Sequence, residues 1–347
     1  MNSLKENPNK PIIVWLLSGC FLVFAMVVIG GITRLTSSGL SITEWNLIMG
    51  TIPPLNDADW NIAFEKYQQT PEFQKINFDM PLSEFKFIFF WEFIHRFIGR
   101  FIGVVFIIPF CYFIIKKRFD KAMQRRALFL LFLGALQGVL GWYMVYSGLQ
   151  NNPHVSHYRL AMHLITAFIT FGFTMWFALD LIYPSSKENS ILQKDNILYQ
   201  LSKLILAVIT LQIIFGAFVA GLHAGKVYTT FPKMGEEWIA SAITALEPAW
   251  RNFTENLAGV QFIHRSIAWL LVMLVGMYWF ISTRFELTKR QRSAVKHLAY
   301  VLVYQFLLGI FTLIYSVPIV LGVLHQMGAF FLFTAAIYMM HSMRERG

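Results

Sequence analysis

Long apolar runs separated by short basic connections make up most of the chain. A membrane-spanning helix needs roughly 20 predominantly apolar residues, and the pattern predicts such spans near 11–33, 88–115, 127–147, 158–182, 200–222, 257–282, 298–316 and 319–341. The last two share one uncharged run from Leu298 to Ser342, too long for a single crossing. Ser316-Val317-Pro318 divides it, because proline steers the preceding residue out of the helical region. Two longer connections remain, roughly 34–87 and 223–256. In the first, Trp60, Phe64, Tyr67 and Phe73 recur among polar residues, as in short amphipathic helices lying on a membrane surface, so both connections are candidate lids. The fold class expected is an all-α integral membrane protein with eight transmembrane helices.

Composition agrees with this. The chain is 56% hydrophobic and only 14% charged, whereas about a quarter of a soluble domain is charged. A net charge of +10 raises the question of nucleic acid, but the basic residues sit in short clusters between apolar runs, which excludes a nucleic-acid-binding face. Membrane topology accounts for them instead. With both termini on one side, that side holds 18 of the 29 basic residues against 7 acidic ones, so the positive-inside rule places both termini in the cytoplasm. The first run, Pro11 to Thr33, exceeds a signal-peptide core and reads as a retained helix. Its lead contains Glu6 and no arginine, unlike a mitochondrial transit peptide, so a bacterial plasma membrane is the expected location. Cys20 and Cys111 both lie in apolar runs, which supports neither a disulfide nor a cysteine metal site.

The two halves of the chain repeat each other. Phe93-Ile94-His95-Arg96 in the second span recurs as Phe262-Ile263-His264-Arg265 in the sixth, and His163 in the fourth span recurs as His325 in the eighth. The third and seventh spans share a glutamine and glycine pattern, Gln137-Gly138 against Gln305 with Gly309. Four spans separate the copies, so the repeat keeps its orientation across the membrane. The expectation is two parallel tandem four-helix bundles, an N-terminal half over 1–197 and a C-terminal half over 198–347.

All four repeated histidines stand some six or seven residues inside the outer end of a span, roughly 10 Å deep at 1.5 Å per residue. Two imidazoles at one level on different helices can hold one iron from both axial sides, which predicts two haem-sized sites, His95 with His163 and His264 with His325. A single intramembrane histidine as often just bonds a neighbouring helix. Duplication in register weighs against that for all four. Arg96 and Arg265 follow two of these histidines where haem propionates would reach the outer interface, and a guanidinium fork suits a carboxylate. Interfacial snorkelling is the simpler alternative for either one. Arg34, Arg100, Arg159 and Lys233 are further basic candidates. His154, His157, His223, His297 and His341 fall in connections or at helix ends, where solvated or interfacial roles suffice. The halves differ at Glu92, one turn before His95, where the second copy has Gln261. A carboxylate there can move protons or stabilise a developing cation, which a glutamine cannot. The first half therefore reads as reactive and the second as a resident cofactor site. Pairing of Glu92 with Arg96, four residues on, is the alternative.

With these residues in view, the chain resembles the haem A synthase family over nearly its full length. The resemblance rests on Gly30-Gly31-Ile32-Thr33-Arg34-Leu35-Thr36, Ser38-Gly39-Leu40-Ser41, Glu44-Trp45, Glu92-Phe93-Ile94-His95-Arg96, Gln261-Phe262-Ile263-His264-Arg265, His163 and His325. It implies oxidation of a methyl group of haem O to the formyl group of haem A, through a hydroxymethyl intermediate, for the assembly of terminal oxidases. It further implies that His264 and His325 hold a permanent haem b, that His95 and His163 flank the substrate haem, and that Glu92 is the catalytic carboxylate. Haem O, an external electron donor, a haem O synthase and the lipid bilayer are the implied partners. The outer connections lack the cysteine pair of one family branch, so the chain resembles the cysteine-free branch of proteobacteria and mitochondria. A membrane dihaem b-type cytochrome that only transfers electrons fits the four histidines equally well, but has little use for a carboxylate in one half alone. A transporter would place its special residues at the midplane.

Overall fold

The structure, a computed structural model, describes residues 7–45, 49–149, 155–184 and 197–344. His154 lies outside them. Among the described residues there are ten α-helices and no strand: α1 Lys10–Leu35, α2 Asp57–Gln68, α3 Pro71–Lys75, α4 Leu82–Ile115, α5 Lys121–Gly148, α6 His157–Ile182, α7 Ile197–Gly221, α8 Leu257–Ser282, α9 Lys289–Ile314 and α10 Ile319–Met343. Eight of them, all except α2 and α3, are long and apolar enough to cross a membrane. The eight expected spans are all present.

Three helices begin six to nine residues earlier than hydropathy suggests, each in more polar sequence. α4 opens at Leu82, α5 at Lys121 and α9 at Lys289, because the helix continues past the hydrocarbon into wetter surroundings. Side-chain caps mark two of these starts. Asp120 accepts a hydrogen bond from the Met123 amide, and Thr288 forms a reciprocal capping box with Gln291, each satisfying amides that the first turn leaves unpaired. The break within the last apolar run falls where expected. Ser316 and Val317 adopt left-handed φ of 61° and 60°, the Val317 amide reaches back to the Thr312 carbonyl at 2.8 Å, and Pro318 caps α10.

The chain forms two compact units, Phe21–Thr170 and Met1–Cys20 with Phe171–Gly347. In the first, α4 packs on α5, and α2 packs on both α3 and α4. The aromatic residues expected at a membrane surface turn inward instead: Trp60, Phe64 and Phe73 gather with Tyr67 around Phe85, Ile88 and Phe89 at the start of α4. Tyr67 stacks on Phe85 with ring centroids 5.1 Å apart. In the second unit α7 packs on α8, α8 on α9, α9 on α10 and α10 back on α7, a closed ring of four helices. Its long connection folds through short 3₁₀ turns onto α8, with Met234, Ala240 and Ala258 at the buried centre. Gly259 permits this approach, since a methyl group there would lie 2.1 Å from the Asn252 carbonyl oxygen.

Candidate functional site

Each repeated histidine lies against a glycine on a neighbouring helix. A methyl group on Gly30 of α1 would come within 3.2 Å of Nε2 of His95 on α4, and one on Gly141 of α5 within 3.2 Å of Cε1 of His163 on α6. In the other unit, a methyl on Gly216 of α7 would stand 3.3 Å from Cε1 of His264 on α8, and one on Gly309 of α9 2.9 Å from Cε1 of His325 on α10. No other residue type leaves room for the rings as they stand. Gln137 donates to the His163 carbonyl at 3.0 Å, and Gln305 repeats the bond to the His325 carbonyl at 2.9 Å. His95 and His163 lie in one of the two units, and His264 and His325 in the other.

Their chemistry fits an axial haem ligand. Nδ1 of His163 and of His264 is buried without a hydrogen-bond partner. Such orphaned nitrogens are uncommon in folded proteins. A neutral imidazole offers one lone pair to a metal, and the glycine contacts fix the plane of each ring. Among the described residues no group of three or more histidine, cysteine or acidic side chains could hold a metal ion.

An arginine closes one end of each site, and two of its hydrogen bonds to loop carbonyls recur between the copies. Arg96 donates through Nη2 to the Ile42 carbonyl at 2.9 Å and through Nη1 to the Glu44 carbonyl at 2.8 Å. Arg265 donates through Nη2 to the Tyr228 carbonyl at 2.8 Å and through Nη1 to the Thr230 carbonyl at 3.0 Å. One constant spacing along the chain relates Ile42 to Tyr228, Glu44 to Thr230 and Gly30 to Gly216, so α1 and its loop repeat in α7 and its loop. Both arginines therefore tie down the loops that follow α1 and α7. Each also keeps a buried, unpartnered Nε–H, the donor left over for a carboxylate. Arg96 further lies over the Trp45 ring at 4.9 Å.

Glu92 is buried and bonded on both oxygens. Oε1 accepts from Arg96 Nη2 at 2.6 Å. Oε2 accepts from the Ser41 amide at 2.7 Å, the Ser41 hydroxyl at 2.7 Å and the Ile42 amide at 2.9 Å. Pairing with Arg96, the plainer of the two readings, is present. Gln261 uses its equivalent place differently, donating Nε2 to the Tyr228 carbonyl at 2.9 Å and leaving Oε1 buried without a partner. A second difference accompanies it. Gln212, one helical turn before Gly216, sits 3.3 Å from Nε2 of His264, whereas the same place before Gly30 is Met26.

The remaining histidines divide. His157 begins α6, His223 follows α7 with a left-handed φ of 55°, and His297 is exposed beside Ser293. His341 corrects the expectation of an interfacial side chain: it is wholly buried, with Nδ1 at 2.8 Å from Arg290 and Nε2 at 3.1 Å from Asp180. Because arginine can only donate, Nδ1 accepts and Nε2 carries the proton that Asp180 receives. The signal available in sequence was Asp180 itself, an acid near the end of an apolar span that needs a buried partner.

A model of the family described as cytochrome oxidase assembly protein matches residues 13–337. Among relatives, Heme A synthase of Flavobacterium johnsoniae is 50% identical over 344 residues, covering 98% of this chain and 100% of the relative. Heme A synthase of Flavobacterium psychrophilum is 52% identical over 337 residues, covering 96% and 98%. That of Nitrosospira multiformis is 48% identical over 340 residues, covering 97% and 95%.

Proposed function

Because the chain belongs to the haem A synthase family of cytochrome oxidase assembly proteins, we propose that it oxidises a methyl group of haem O to the formyl group of haem A, by way of a hydroxymethyl intermediate. The observation that carries the reading is the pair of histidine sites built alike, with a buried carboxylate beside one of them alone. His95 and His163 flank the substrate haem, and His264 and His325 hold a resident haem b. The functional halves run over 1–197 and 198–347. When bound, the resident haem supplies one-electron chemistry fed by an external donor. The protein's own residues do the rest. The four glycines fix the imidazole planes, Gln137 and Gln305 hold the backbone of the helix bearing the second ligand of each pair, and Arg96 and Arg265 keep the outer loops closed over the sites. Their Nε–H groups are the donors offered to haem propionates. Glu92 stabilises positive charge developing on the substrate carbon or takes up its proton. The termini lie on the cytoplasmic side of a bacterial plasma membrane, by the distribution of basic residues, and a haem O synthase is the source of substrate.

The test is expression in a host that makes haem O and no haem A, followed by analysis of the extracted haems. Hydroxylated or formyl haem is expected; unchanged haem O at normal protein levels refutes the reading. Glu92→Gln is expected to abolish conversion while keeping the resident haem spectrum, and loss of that spectrum would make Glu92 structural. His264→Ala is expected to remove the b-type signal, and its persistence would overturn the allocation of the two sites.

A further inference from the structure

We propose that Ser41 is a positioning residue for Glu92, one that orients the carboxyl group toward the substrate haem; this rests on the reading of Glu92 as the catalytic carboxylate. Ser41 is 2% exposed and gives two hydrogen bonds to a single oxygen, Oε2, from its amide and its hydroxyl, both at 2.7 Å. The hydroxyl has one proton to give. Its other acceptor, the Ser38 carbonyl, is 3.3 Å away, so the bond to Glu92 is the stronger.

The consequence is an unequal carboxylate. With the Ile42 amide at 2.9 Å, Oε2 accepts three bonds and its lone pairs are used up, while Oε1 accepts one from Arg96 and retains capacity. Three donors on one oxygen fix the plane of the group. Oε1 is then the oxygen offered to a reacting atom, with its orientation set before substrate arrives. The repeat supplies an internal comparison. The latch arginines, their carbonyl partners and the histidine-facing glycines recur in the second copy. Yet the residue that precedes Tyr228 there, as Ser41 precedes Ile42, is Val227, and the place of Glu92 is Gln261. The hydroxyl is present where the carboxylate is present and absent where it is absent, which a role in closing the loop would not require.

The experiment compares Ser41→Val, the side chain of the second copy, with Ser41→Thr, which keeps the hydroxyl. Turnover with haem O is measured alongside spectral titration of oxidised haem O without reductant and the spectrum of the resident haem. Ser41→Val is expected to lower kcat about tenfold or more, the scale of a lost hydrogen bond to a charged group, with haem O binding and the resident spectrum unchanged. Ser41→Thr is expected to restore kcat. Unchanged turnover in Ser41→Val overturns the proposal, as does a loss that extends to haem O binding or that threonine fails to restore. Glu92→Gln run in parallel separates the two claims. If it stays active, the catalytic reading falls; if it is inactive while Ser41→Val turns over normally, the role of Ser41 alone falls.

Discussion

Replacing Gly309 by alanine tests whether the His325 ring is held at a metal-ligating position. The added methyl would stand 2.9 Å from Cε1 of the imidazole, 3.5 Å from Nδ1 and 3.7 Å from Nε2, where ordinary contact begins at 3.4 Å. The ring must therefore retreat by about half an ångström to restore contact with the new methyl. Protein–metal bond lengths tolerate only about 0.2 Å, so the ring moves out of ligating range or tilts. Alanine also improves a helix interior by roughly 1 kcal/mol over glycine, so α9 itself has no reason to unfold. The expected outcome is protein at normal yield with reduced resident haem, or an altered ligand field in its absorbance and electron paramagnetic resonance spectra, and a shifted midpoint potential. Gly276→Ala is the control, because nothing lies within 4 Å of its added carbon. Wild-type haem content, spectrum and potential in Gly309→Ala would refute the assignment of His325 as a ligand.

Two further outcomes follow from groups outside the histidine sites. Gly259→Ala sets a methyl 2.1 Å from the Asn252 carbonyl oxygen; backbone cannot yield as a side-chain tip does, so the loop over α8 should detach at a cost of about 1–3 kcal/mol, read as faster proteolysis between 240 and 256. Glu72, buried in the connection between α1 and α4 and accepting a hydrogen bond from Tyr67 at 3.2 Å, is pushed up to about 7 by burial, with the charge of Glu92 adding to the rise and the Tyr67 bond opposing it. The folded state then holds this proton more tightly than the unfolded state, so this connection is most stable below the ordinary value of 4.5 and loses stability as pH climbs from there to about 7, by about 3 kcal/mol. Thermal denaturation across that range should show the slope, and Glu72→Gln should flatten it; a Glu72→Gln profile as steep as wild type would contradict this account.

Hydropathy sufficed for the eight spans because lipid leaves a chain few options other than uninterrupted helices. The four histidines could be read because two sequence patterns around them recur between the halves. What closes each site was harder to read. Gly30, Gly141, Gly216 and Gly309 are four of 22 glycines; Gly309 stands out beside Gln305 and Gly30 within a motif, but nothing in sequence says that the four face histidines until their helices are paired with α4, α6, α8 and α10. Gly30 and Gly216 also stand further apart along the chain than His95 and His264 do, because the outer loops differ in length, so no single offset aligns the two copies. Arg96 and Arg265 looked available for carboxylates because carbonyl acceptors in a loop have no sequence signature. The inward turn of Trp60, Phe64, Tyr67 and Phe73 was hidden for a similar reason, since an amphipathic helix shows which face is apolar but not whether lipid or protein covers it.

Glu92 and Gln261 hold the same place in the two copies, and what separates them can be put to a quantitative test. Gln261→Glu would set a buried carboxylate against the Tyr228 carbonyl now 2.9 Å from Nε2, oxygen facing oxygen. Arg265 lies one turn on, as Arg96 does from Glu92, but Val227 offers no hydroxyl where Ser41 gives one. A buried charge with too few donors is costly, so the single change should lower stability by about 2–4 kcal/mol. Val227→Ser alone gains nothing, having no carboxylate to serve, and at an exposed position changes stability by about 0.5 kcal/mol or less. Together the two rebuild the Ser41–Glu92 arrangement, and their effects should fall short of the sum by about 1–2 kcal/mol in a double-mutant cycle. Strict additivity would mean that serine at this position does not reach the carboxylate. It would also mean that the first copy's carboxylate owes its setting to the loop backbone alone.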